Sequence, residues 1–270
     1  MTDKIVLVLE YDGTYYYGFQ LQAAQPTVQG EVETALFRLT GEQTRVMAAS
    51  RTDTGVHARE QVVSLRTGSS LPTTTFIGGL NFYLPRDIAV RAAYRVDGSF
   101  NARRDATRRE YNYYILNSPT RSPIGERFTC HVAGRLDIEA MNEACRALIG
   151  RHDLASFTTS AGARLRDTVR TVYNANVSRD GETVIFNMAA GSFLTHQVRN
   201  TVGALIRVGS GGMSVRQFCD ITEAKNPGTA GPMAPARGLF LMRVNYRRPI
   251  EEIARNASIE RQCGELVLSS

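Results

Sequence analysis

The sequence predicts an α+β protein of two pseudo-symmetric α+β halves sharing one mainly antiparallel sheet, with helices on one face and a basic cleft on the other. Three observations lead there. An apolar strand and an amphipathic helix follow one another near the N-terminus and recur in that order after residue 106. Two strand-like runs, Thr171 to Val177 and Thr183 to Ala189, flank Arg179, Asp180 and Gly181, a hairpin turn signal. A chain of 270 residues, 43% of them hydrophobic, can fill cores for both halves. The expected boundaries are 1–105, 106–247 and a tail at 248–270.

The elements follow in order. Ile5 to Leu9 is an apolar strand ending in Tyr11, Asp12 and Gly13, whose Asp-Gly step marks a turn. After Pro26, Thr27 can cap a helix with Val28, Val32, Leu36 and Leu39 on one face and Gly41 as its stop. Arg45 to Ala49 leads into a polar loop around Asp53, and Val62 to Leu65 resumes a strand. In the second half Tyr111 to Leu116 is rich in strand formers. A helix from Asp137 buries Ile138, Met141, Cys145 and Leu148 and is expected to end at Gly150. A further helix runs from His196 to Val208, and another begins with a capping box at Ser214 and Gln217. Leu239 to Val244 alternates like a strand, and the charged segment after Arg247 reads as a tail or surface helix.

Composition narrows the function. The formal net charge is +6 and the pI about 9.3, which favours a polyanionic partner. Lys4 and Lys225 are the only lysines among 32 basic residues. Arginine grips phosphate with a two-pronged fork and stacks on bases, so the bias suits RNA, and a GC-rich genome gives the same bias. Cys130, Cys145, Cys219 and Cys263 have no zinc-binding spacing and read as reduced structural thiols. His57, His131, His152 and His196 form no helical metal pair, so no metal is expected. No stretch of about 18 apolar residues occurs, so a cytoplasmic protein without a membrane segment is expected.

The segment from Ser50 to Ala58 packs charge, hydroxyls, glycine and histidine into one loop between strands, the usual setting for catalysis on a rigid scaffold. Taken alone, such a loop is more often a surface turn in which the aspartate bonds nearby amides. Arg103, Arg104, Arg108 and Arg109 form a dense basic run leading into Tyr111, suited to phosphate.

These residues resemble the tRNA pseudouridine synthase I (TruA) family, whose catalytic loop Arg51 to Ala58 matches throughout. Ordered stretches agree: Tyr11 to Thr14 with Tyr16, Gly18, Gln20 and Gln22; Thr27 to Gly30; Asn81, Leu84, Pro85 and Asp87; Phe100, Ala102 and Arg103; Arg109, Tyr111 and Tyr113; and His152, Asp153, Ser156 and Phe157. Phe193, His196 and Val198 to Asn200, then Ala234, Pro235, Gly238, Leu239 and Leu241, complete a likeness covering about residues 4 to 246. Phe19 stands where the family usually has tryptophan, Ser50 where glycine is common, and Glu110 among usually basic neighbours.

The resemblance implies isomerisation of uridine to pseudouridine at positions 38, 39 and 40 of the tRNA anticodon arm, by a homodimer and without a cofactor. It makes Asp53 the nucleophile, with Arg199 its partner and Tyr111 stacking on the flipped base and open to a role in proton transfer. Arg51, His57, Arg103 and Arg109 are the expected RNA contacts. Attack at C1′, attack at C6 and a glycal route all remain open. Two other readings are a non-catalytic RNA-binding or tRNA-folding protein, for which Asp53 is dispensable, and a glycosidic hydrolase, which needs a second carboxylate as acid.

Overall fold

The structure is a computed structural model that describes residues 3–159 and 167–255. They form two compact units. The first takes the chain to Thr107 and again from Met242; the second is Arg108–Leu241.

In the first unit, β1 (Asp3–Tyr11) lies between β3 (His57–Thr67) and β4 (Ile88–Val96), antiparallel to both. The short β2 (Met47–Ala48) adds to β3 opposite Val63 and Ser64. Ile5, Leu7 and Leu9 are fully buried, as the apolar run requires. α1 (Val28–Thr40) starts where Thr27 accepts the Gly30 amide and stops where Gly41 turns left-handed at φ 73°. α2 (Thr73–Tyr83), which the sequence reading did not anticipate, packs on β4 and α1. Gly79 leaves room for Leu39 of α1, since a Cβ there would lie 2.5 Å from the leucine. The chain end belongs here rather than standing apart: Tyr246 donates to Ala102 O and stacks on Phe100, and residues 250–255 are helical. The first unit resumes at Met242, six residues before the boundary expected after residue 247.

In the second unit, β5 (Ala106–Leu116) pairs antiparallel with β9 (Thr183–Ala190), β9 with β8 (Val169–Asp180), and β8 with β7 (Gly150–Asp153). The hairpin turns at Gly181 with φ 54°, as its Asp-Gly step demands. β6 (Cys130–His131) runs parallel to β5. Three helices pack on one another, α3 (Ile138–Arg146), α4 (Gln197–Gly209) and α5 (Val215–Ala224), and α3 also packs on β8. The capping box of α5 is formed as expected, Ser214 and Gln217 satisfying each other's backbone. α3 stops earlier than expected, because Gly150, at φ 111°, opens β7 instead of closing the helix. β10 (Leu239–Tyr246) carries the chain from the second unit back into the first.

Mixed helices and mostly antiparallel strands confirm the α+β class. Cys130, Cys145 and Cys219 are free thiols, and Cys263 lies outside the described residues. Among the described residues no helix is long and apolar enough to cross a membrane.

Candidate active site

Asp53 sits on the loop between β2 and β3, half-buried between residues that are tightly held. Before it, Gln61 of β3, fully buried, clamps Ser50 from both sides, accepting its amide and donating to its carbonyl at 2.6 Å. Thr52 shares a hydrogen bond of 2.7 Å with the Tyr11 hydroxyl at the end of β1, and its carbonyl accepts the Phe19 amide at 3.0 Å. After it, Val56 N–H closes a turn onto Asp53 O, and Gly55 N–H donates to Tyr16 O. The carboxylate is thus carried by a loop laced to residues 11–19, which limits its freedom before any substrate arrives.

The lacing requires glycine at two places. A Cβ on Gly13 would lie 2.0 Å from Val56 O, and one on Gly18, at φ 83°, 2.7 Å from Thr52 O. The opening motif is therefore the other half of the Asp53 loop's support. Asp12 caps its own turn through the Thr14 amide and hydroxyl. The Tyr16 hydroxyl donates to Asp87 at 2.6 Å, and burial together with that carboxylate raises its pKa.

His57 is 1% exposed, so it presents no surface to RNA; the contact expected of it gives way to a supporting role. Its Nδ1 lies 3.1 Å from both the Gly13 amide nitrogen and Asp12 Oδ1. The two contacts need opposite protonation of that nitrogen. Both contacts hold the ring against the turn at Asp12 and Gly13.

The other expected residues divide by unit. Arg51 and Arg103, in the first unit with Asp53, are exposed, and Arg103 extends from a turn whose amides Asn101 Oδ1 accepts. In the second unit, Tyr111 on β5 lies opposite Met188 and meets the Phe193 ring edge-on at 5.0 Å. Arg109 is only 7% exposed and donates to Gly191 O at 2.6 Å, so its guanidinium braces the β9 end and offers RNA little surface. Arg199, in the first turn of α4, donates through Nε to Ala234 O, and the Ala234 amide donates back to Arg199 O. That exchange ties α4 to the segment 230–235, where Gly203 lets Pro232 O approach to 2.0 Å of a would-be Cβ. α4 itself begins at His196, held at φ 62°, an uncommon conformation for a residue with a side chain.

A family model described as tRNA pseudouridine synthase matches residues 7–103 and 144–247. The chain belongs to that family. The tRNA pseudouridine synthase A of Brevibacillus brevis is 43% identical over 243 residues, covering 90% of this chain and 99% of its own. That of Roseiflexus castenholzii is 44% identical over 247 residues, with 90% of each chain covered, and that of Geobacter sulfurreducens 43% over 242 residues, with 90% and 99% covered. A chain from the crystal structure of the archaeal box H/ACA sRNP Nop10-Cbf5 complex aligns over 72% of this chain and 45% of its own, at 12% identity and a TM-score of 0.34, too slight to carry weight.

In this tRNA pseudouridine synthase family member the Asp53 loop is pinned on both flanks, and Arg51 and Arg103 are exposed in the same unit. Tyr11 and Gly18 belong to motifs the sequence reading quoted, but their role as clamps on the Asp53 loop was not visible there. Gln61 carried no signal at all: it is one polar residue within a strand, and only the β2–β3 geometry gives it Ser50 as a partner. Among the described residues, no three His, Cys, Asp or Glu side chains cluster as metal ligands would.

Proposed function

We propose that this chain isomerises uridines 38, 39 and 40 in the anticodon arm of tRNA to pseudouridine, with Asp53 as nucleophile and no cofactor. The reaction breaks the bond from ribose C1′ to N1, turns the uracil and joins C5 to C1′; C5 gives up its proton to solvent while the freed N1 takes one, leaving the composition unchanged. A carboxylate lowers the barrier by splitting it, either as a covalent partner or by stabilising the oxocarbenium-like centre. In this reading Arg199 pairs with Asp53 and Tyr111 stacks on the extruded base, whose unstacking costs about a few kcal/mol. The observation that supports it best is the Asp53 loop, whose Arg51 to Ala58 resembles the family's loop motif throughout and which is laced on both flanks to the opening motif. The protein acts as a homodimer in the cytoplasm, where its substrate is.

The test is to incubate unmodified tRNA transcripts with the protein, without added metal or cofactor, and map pseudouridine by carbodiimide-dependent primer extension. Product at 38 to 40 supports the reading. Released uracil would point to a hydrolase, and bound but unchanged tRNA to a binding protein. Sedimentation equilibrium at micromolar concentration tests the dimer.

A further inference from the structure

The first unit has two grooves along the β1 and β3 strands, and their charges are arranged differently. Glu60, Val62, Ser64 and Arg66 alternate along β3 and so share one face, the first two lining one groove and the last two the other. The groove at the Glu60 end, about 630 Å³, is largely neutralised within itself: of its four arginines and three glutamates, Arg59 and Arg91 pair with Glu10 and Arg243 with Glu60, while Glu251 accepts from the Tyr94 hydroxyl.

The groove at the Arg66 end, about 1430 Å³, is not. Lys4, Arg45, Arg51, Arg66, Arg103 and Arg104 line it. Glu42 is the one carboxylate among the described lining residues, and its oxygens are taken by the Thr67 hydroxyl and the Gly68 amide. Arg45 and Arg104 have carboxylate partners, Glu33 and Asp105. Arg51 and Arg66 are exposed and have no side-chain hydrogen bond or ion pair among the described residues. The strand register sets Lys4 directly opposite Arg66, like charges across a ladder, an arrangement that costs stability unless an anion lies between them. Burial, then Arg66 and Arg104, push the Lys4 ammonium below its ordinary pKa. Lys4 also donates to Gly98 O and Phe100 O, which fixes the turn that presents Arg103 and Arg104. Half-exposed Leu21 and Met47 supply apolar surface on the same walls.

We infer that this groove is a track for the substrate's sugar–phosphate backbone, with Arg66, Lys4 and Arg104 binding phosphates beyond the one met by Arg51 beside the catalytic loop. The inference rests on the reading of the substrate as tRNA. It places Arg66, outside every motif of the sequence, in the binding surface. An acidic protein segment would suit the surface less well: exposed Arg51, Arg66 and Arg103 along one groove, with small apolar surfaces between, match a regular polyanion carrying flat bases.

The experiment is tRNA binding by fluorescence anisotropy with the full chain, across a salt series, for wild type, Arg66→Ala, Arg66→Glu, Arg66→Lys and, as a control in the neutralised groove, Arg91→Ala. Each lost phosphate contact lowers the slope of log Kd against log salt by about 0.7–0.9. Arg66→Ala should show that reduction, Arg66→Glu should weaken binding about tenfold or more at low salt, Arg66→Lys should restore most of the affinity, and Arg91→Ala should match wild type. Wild-type Kd and slope in Arg66→Glu, with thermal melting unchanged, would overturn the track. A variant that fails to melt cooperatively is replaced by Arg66→Ala, whose unchanged slope overturns it equally. Pseudouridine formation by the wild type is read in parallel, so loss of the functional reading shows as absent product, independent of the Arg66 comparison.

Discussion

Replacing Gly18 with alanine should injure catalysis more than folding. The backbone at Gly18 has φ 83°, and an added Cβ would stand 2.7 Å from Thr52 O and 3.2 Å from the Asp53 carbonyl carbon. Holding a residue with a side chain in the left-handed region costs about 1–2 kcal/mol, and overpacking adds about 1–3 kcal/mol, so the fold should lose about 2–5 kcal/mol and survive. Ordinary contact begins at 3.4 Å, so the Thr52 carbonyl must withdraw by about 0.7 Å. That carbonyl accepts the Phe19 amide and belongs to the residue immediately before Asp53, so the withdrawal moves the carboxylate's base. A displacement of about 1 Å at a reacting group costs about a hundredfold, so a loss of about ten- to a hundredfold in kcat is expected. Single-turnover pseudouridine formation with enzyme in excess measures it, alongside urea unfolding. A variant destabilised as expected but with wild-type turnover would refute the claim that the opening motif aims Asp53.

Two further outcomes follow from the same geometry. His57→Ala orphans the Gly13 amide and should cost about 1–3 kcal/mol in urea unfolding, while the salt slope of tRNA binding stays at the wild-type value because the ring reaches no phosphate. Tyr113 is fully buried with its hydroxyl on Pro235 O, and burial raises its pKa. Its folded state keeps the proton while the unfolded tyrosine ionises near pH 10, so its share of stability is complete below about pH 10 and falls as pH rises, by up to about 1.4 kcal/mol per unit. Urea melts between pH 8 and 11 should show a shallower alkaline decline for Tyr113→Phe; equal slopes would contradict it.

Much of the fold was legible because local signals agreed with the tertiary outcome. Thr27 and Gly41 bound α1 as their cap chemistry dictates, and Asp180-Gly181 turns the β8–β9 hairpin. α2 was illegible for a physical reason: three threonines open it and Gly78-Gly79 interrupt it, so its propensity is poor and packing against β4 and α1 holds it. The end of α3 was misplaced because Gly150 serves equally well as a helix stop or as the left-handed start of a strand.

In the site, the Asp53 loop announced itself by motif, but its supports did not. Tyr11 meets Thr52, and Gly13 meets His57, across more than forty residues, and only the antiparallel β1–β3 register joins them. The burial of His57 and Arg109, which takes them out of the expected RNA surface, is likewise a tertiary fact. Lys4 and Arg66 sit at opposite ends of the same strand pair in sequence and face each other only through pairing.

The most direct measurement is release of tritium from tRNA carrying 5-tritiated uridine, comparing wild type with Asp53→Asn, which keeps the loop's shape and removes the charge. Stoichiometric release by the wild type and none above background by Asp53→Asn, with tRNA affinity retained, is the expected result. Release at the wild-type rate from Asp53→Asn would contradict it.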